Sequence, residues 1–172
     1  MSEYRTRDCI ILVKGDAFAV AVDPSLAVSG WKGGQGVRWA PSPRDEPTVQ
    51  LSDGGYAGFA LWGSDESSDQ FTAMTRQFPT YKYLVLGMGG WLIATPTYER
   101  YTWASRTGGG PLVPLTYTTD DRLTFSLRGY WTKEDEWSLS GDPRAPNSNY
   151  IGFVCQAPTA MTNHYMTLQV SI

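Results

Sequence analysis

The stretch HYMTLQVSI (164–172) alternates without a break. Met166, Leu168, Val170 and Ile172 fall on one side, and Tyr165, Thr167, Gln169 and Ser171 on the other. A period of two is that of a strand with one face in the core, whereas a helix places its apolar residues three and four apart. RLTFSLR (122–128) repeats the pattern, with Leu123, Phe125 and Leu127 opposite Thr124, Ser126 and Arg128. Working outward, strands are expected at 9–13, 18–22, 36–39, 48–51, 56–62, 81–87, 90–95, 98–103, 112–117 and 150–156. Gly15-Asp16 and Met88-Gly89 read as hairpin turns joining the strands on either side. The fold class predicted is all-β: an antiparallel β-sandwich or flattened β-barrel. One short connecting helix is predicted over 67–77. There Ser67 and Gln70 form a capping box, and Phe71, Met74 and Phe78 share a face.

The length of 172 residues fits one domain, 1–172, with a short N-terminal arm over about the first eight residues. Only 18% of residues are charged, and the formal net charge is −3. Lys14, Lys32, Lys82 and Lys133 stand apart in sequence. No basic run marks a nucleic-acid groove. The apolar run 9–13 is too short for a signal-peptide core, and no stretch approaches the roughly 20 apolar residues of a membrane helix. Synthesis in the cytoplasm, with no membrane insertion, is the expectation. In that reducing setting Cys9 and Cys155 are expected as buried thiols rather than a bridge.

The chemistry is read largely by elimination. His164 is the only histidine, so no zinc site can rest on two, and any Ser-His-Asp arrangement must use it. It stands at the start of an alternating strand, where a strand-end role suffices. GMGG (87–90) lacks the spacing of a dinucleotide fingerprint, and the calcium pattern of alternating oxygen ligands with a central glycine is absent. No metal or organic cofactor is expected. RGYWTKEDEWSLSGDP (128–143) is the acidic and aromatic exception. Trp131 and Trp137 fit facing positions on a hairpin, with Lys133, Glu134 and Asp135 toward its tip. Trp131, Glu134, Asp135 and Trp137 also form a candidate surface-ligand platform, with a sugar stacked on the rings. Glu134 and Glu136 could serve a glycosidase only with a cleft between them, and no other stretch supplies one.

Three stretches, GYAGFALWGSDESSDQF (55–71), YKYLVLGMGGWLIATPTYERYTW (81–103) and YMTLQVSI (165–172), give the chain a class-level likeness. It resembles small virion structural proteins of tailed bacteriophages. The resemblance implies a non-enzymatic virion subunit of a tail, baseplate, connector or capsid surface. Such a subunit is made in the host cytoplasm and assembles with itself, as a ring or other symmetric homo-oligomer, and with other virion proteins. It transfers no functional residue. The aromatic content supports an interface, since seven Trp and ten Tyr exceed what one small β core hides. Trp31, Trp39, Tyr98 and Tyr101 are the candidate interface residues. The alternative is a carbohydrate-binding module for a host-surface glycan, and a glycoside-active enzyme ranks third.

Overall fold

The alternation at 166–170 is realised as a strand whose Met166, Leu168 and Val170 are buried while Gln169 faces out. The computed structural model describes residues 8–41, 47–52, 57–64, 83–133, 151–162 and 164–171. They form an all-β fold of two sheets. Its strands are β1 (Ile10–Val13), β2 (Ala17–Val22), β3 (Gly36–Trp39), β4 (Thr48–Leu51), β5 (Gly58–Ala60) and β6 (Tyr83–Gly87). They continue with β7 (Leu92–Thr95), β8 (Arg122–Phe125), β9 (Trp131–Lys133), β10 (Gly152–Gln156) and β11 (Met166–Val170). An open antiparallel sheet runs β1-β7-β11-β10-β8-β9, and β2-β4-β3-β5-β6 close into a small barrel. All barrel pairings are antiparallel except β2 with β4. The predicted helix at 67–77 lies outside the described residues. Two short helices were not foreseen. In α1 (Pro24–Ser29), Asp23 caps the first turn by accepting from the Ser25 N–H at 3.0 Å, and Pro24 supplies a preset backbone angle. The second, α2 (Trp103–Thr107), occupies the end of the expected 98–103 strand. The expected strand at 112–117 reduces to a bridge between Tyr101 and Pro114.

Both hairpin readings are corrected by the pairing. β1 does not pair with β2, nor β6 with β7. Instead β1 pairs antiparallel with β7, and β2 with β6, running from Ile10↔Ala94 through an irregularity between Ile11 and Val13 to Ala17↔Gly87 and Ala21↔Tyr83. Residues 10–22 and 83–95 therefore form one long ribbon, bent where it passes from the open sheet into the barrel. Gly15-Asp16 and Gly89-Gly90 form the corner. A Cβ on Gly15 would meet the Gly89 carbonyl at 2.5 Å and the Trp91 ring at 2.8 Å. The Trp91 indole N–H donates across the corner to the Asp16 carbonyl at 2.8 Å. The glycines were sound evidence of a sharp bend, but the bend changes sheets rather than reversing a strand pair.

The barrel packs Val20, Val22, Leu26, Trp31, Val37, Val49, Ala60 and Leu86 inside. Alternate residues of β5 and its exit, Phe59 and Leu61, point the other way, into a larger core with Trp91, Ile93, Leu123, Phe125, Trp131 and Leu168. The two sheets are in close contact at Gly36, where a Cβ would fall within the Phe125 ring. Phe125 in turn packs against Trp131 at 4.4 Å between ring centroids. Interiors are close-packed, so an added methyl must displace its neighbours. Gly36→Ala is expected to destabilise the fold by about 1–3 kcal/mol, read as a lower urea midpoint. Gly110→Ala, where a Cβ meets nothing within 4 Å, is expected to stay within about 0.5 kcal/mol of the parent.

Candidate functional site

Where β9 begins, the chain segment before α2 lies alongside it. The Trp131 N–H donates to the Thr97 carbonyl at 3.2 Å, and the Glu99 N–H donates to the Trp131 carbonyl at 2.8 Å. This pairing carries Glu99 to a position with no solvent exposure. Arg128 meets its carboxylate side-on, Nε at 2.8 Å from Oε1 and Nη2 at 2.7 Å from Oε2. The Ser126 hydroxyl donates to Oε1 at 2.7 Å, and Arg106 Nη1 stands 3.4 Å away. A buried carboxylate persists when its oxygens are saturated in this way, and planar guanidinium is suited to the bidentate contact. The Glu99 hydrogen bonds also raise the pKa of Arg128, against the opposing effect of its partial burial.

Beside this ion cluster opens a cavity of about 400 Å³ lined by Lys32, Thr97, Tyr98, Arg100, Tyr101, Arg128 and Tyr130, with Asp8 and Pro96. Its walls come from four places: the barrel loop at Lys32, the exit of β7, the turn between β8 and β9, and Asp8 just before β1. Gln35 ties the first to the third. Its Oε1 accepts from the Lys32 N–H at 2.8 Å, and its Nε2 donates to the Arg128 carbonyl at 2.6 Å. Rings hold the cations in place: Arg128 lies 4.1 Å and Lys32 5.6 Å from the Tyr130 centroid, and Arg100 lies 5.6 Å from that of Tyr98. The Tyr98 hydroxyl is occupied, donating to the His164 carbonyl at 2.8 Å. His164 itself is exposed, in a left-handed turn with φ 61°.

The candidate interface residues separate into two pairs. Trp31 and Tyr98 are corrected: both are buried within the chain. The Trp31 indole fills the barrel and donates to the Trp62 carbonyl at 2.9 Å, and Tyr98 packs edge-on against Tyr117. Trp39 and Tyr101 are exposed. Trp131 is corrected as a surface-ligand residue. It has no exposed surface, and its indole N–H donates to the Gly34 carbonyl at 2.8 Å. Glu134, Asp135, Glu136 and Trp137 lie outside the described residues. Cys9 is buried, Cys155 is half-buried, and both are free thiols; burial, and next Asp120, raises the Cys155 pKa. Among the described residues no three His, Cys, Asp or Glu side chains gather as a metal site.

The Glu99 cluster and the cavity were not foreseen. Their one local signal is TYERYTW (97–103), where a lone carboxylate interrupts an aromatic segment. Its partners Arg128 and Ser126 are more than 25 residues away, and no spacing rule connects them. Comparisons with protein families, curated proteins and solved structures find no match for this chain.

Two outcomes follow from this geometry. Arg128→Ala leaves the buried carboxylate with Ser126 and the more distant Arg106. Because Arg128 is itself half-exposed, the loss is expected at the lower end of the roughly 3–5 kcal/mol for a broken buried pair. Arg128→Lys is expected to recover little of it in chemical denaturation, since an ammonium cannot make both contacts. The second outcome concerns Tyr117, whose hydroxyl donates to the Glu99 carbonyl at 2.6 Å and whose pKa burial raises far above the usual tyrosine value. The folded pKa exceeds the unfolded one, so its contribution to stability is complete below about pH 10 and is lost as pH rises further. Stability is expected to fall above pH 10 by about 1.4 kcal/mol per pH unit from this residue. Tyrosinate absorbance followed with circular dichroism checks it: Tyr117 should ionise only as the fold is lost.

Proposed function

We propose that the chain is a non-enzymatic structural subunit, of the kind that builds the particles of tailed bacteriophages, and that it acts by binding copies of itself and neighbouring virion proteins. On this reading it is made in the host cytoplasm and resides in the virion. The observation that supports it is the segment 100–116. This excursion leaves the open sheet after Glu99, forms α2, and returns through Gly108-Gly109-Gly110-Pro111. It is held as a ribbon by Thr102 N–H to the Val113 carbonyl at 3.0 Å and Leu115 N–H to the Arg100 carbonyl at 2.8 Å. Yet it gives the larger core only the partly buried Leu115, while Tyr101, Leu112 and Val113 remain exposed together. Apolar side chains held on an ordered projection cost free energy in water, and contact with a partner removes that cost.

A second apolar surface lies at β1, which among the described residues ends the open sheet, and which exposes Leu12 and Val13. Open strand edges of this kind accept further strands. With Trp39 on β3, these surfaces offer contacts in more than one direction, as a subunit with several neighbours needs.

The test is the mass of the chain in solution, by sedimentation or light scattering, for the parent and for Tyr101→Ala and Val113→Asp. The parent is expected to form a defined oligomer. Each variant is expected to keep its thermal midpoint while association weakens by about 2 kcal/mol or more, the scale of a central interface residue. A parent that stays monomeric at high concentration, alone and with candidate neighbours, rules the reading out.

A further inference from the structure

We infer that the cavity at the base of the 100–116 ribbon binds an acidic sugar unit, with the ligand carboxylate received by Arg100, Lys32 and Arg128. Three observations carry this. The first is charge. Among the described residues, four cations, Lys32, Arg100, Arg106 and Arg128, stand in or behind the cavity against two carboxylates, Asp8 and Glu99, in a chain whose formal net charge is −3. Lys32 and Arg100 have no ion-pair partner among the described residues, and Arg128 uses Nε and Nη2 on Glu99 while Nη1 has no partner there. A concave site lined by one sign of charge concentrates the opposite sign.

The second is hydrogen bonding. Tyr101 and Tyr130 line the same cavity, and the hydroxyl of neither has a hydrogen-bond partner among the described residues. Together with the cations they make a wall rich in donors, which suits a ligand rich in acceptors: a carboxylate accompanied by hydroxyl oxygens. The third is shape. A volume of about 400 Å³ lies within the range of small-ligand sites. A planar base stacks on ring faces, and Tyr130 already carries Arg128 and Lys32 while Tyr98 carries Arg100 and Tyr117, which leaves Tyr101 as the one lining ring with no such contact among the described residues. A non-planar, hydroxylated ring asks for edges and donors instead. Preorganisation favours binding, because Glu99 and Gln35 already hold the Arg128 and Lys32 segments in place.

Tyr101 is shared with the exposed apolar surface of the ribbon, but Lys32, Arg100 and Arg128 are not part of that surface, so variants at these cations test the site whether or not the chain self-assembles. The test is calorimetric titration of the full chain with sodium glucuronate, glucose, inorganic phosphate and a glutamate-rich peptide at low and high salt. Glucuronate is expected to bind saturably, more weakly as salt rises, and glucose not at all. Arg100→Gln and Lys32→Gln, both surface changes that spare Glu99, are expected to keep the parent's thermal midpoint and to weaken glucuronate binding about tenfold or more each. The inference fails if glucuronate does not bind, or if either folded variant binds it as the parent does. Phosphate or the peptide binding as tightly as glucuronate also overturns the sugar assignment.

Discussion

The indole of Trp131 joins the two sheets. Its N–H is spent on the Gly34 carbonyl of the barrel loop, and its ring lies against Phe125 of the open sheet and within 6.4 Å of Phe59 from the barrel wall. Its backbone takes a further pair of bonds from the 97–99 segment. Phe125, against which the Trp131 ring packs, has room only because β3 is reduced to glycine at Gly36, where a Cβ would fall within the Phe125 ring. The polar edge of a buried tryptophan needs a partner, and a loop carbonyl supplies it without a second side chain. The barrel, the sheet and the segment that enters the ribbon are thus positioned by one residue, and the cavity at their junction inherits its shape from that arrangement.

Glu99 extends the same logic to electrostatics. A carboxylate without solvent exposure is costly, and the cost falls on whatever fails to pair with it. Arg128 comes from the turn after β8 and Arg106 from α2, so one anion holds two otherwise independent surface segments. Arg106 also donates to the Tyr101 carbonyl at 3.1 Å and lies over the Trp103 ring, which fixes the base of the ribbon. The order of the exposed segment is therefore explained from below, by polar contacts at its root, rather than by burial along its length.

The residues differ in how much of this they disclosed. The strands with a single covered face were legible: in β11 the buried and exposed positions follow the alternation of the sequence. Where both faces are covered the pattern misleads. Thr124 and Ser126, read as outward, are buried, and the cross-strand partner of Thr124, Thr132, is buried with Tyr117 beside it. The turn after Phe125 was hidden by Leu127, which extends the apparent alternation although Gly129 takes φ 74° and reverses the chain. The corner glycines revealed a bend but not its partner, because pairing is a long-range choice that local turn chemistry does not specify. Trp31 looked available for contacts because composition counts aromatics without locating them, and Trp131, read as a hairpin position, looked like part of a surface platform only because of the acidic residues that follow it. The cavity was least legible of all, since its cations come from positions 32, 100 and 128 and have no shared sequence pattern.

The bent ribbon has a consequence for biosynthesis. Every barrel strand lies between residues 17 and 87, but the open sheet needs β11, which inserts between β7 and β10 and leaves the ribosome well after the barrel strands have done so. At roughly 5–20 residues per second the interval is several seconds, far longer than hydrophobic collapse. Throughout it Phe59 and Leu61 face outward from the barrel with their eventual covering still unmade. A chain that has reached only the end of the barrel strands thus lacks the Met166 and Leu168 that share the core with Phe59 and Leu61, and the strand that fills the place beside β7.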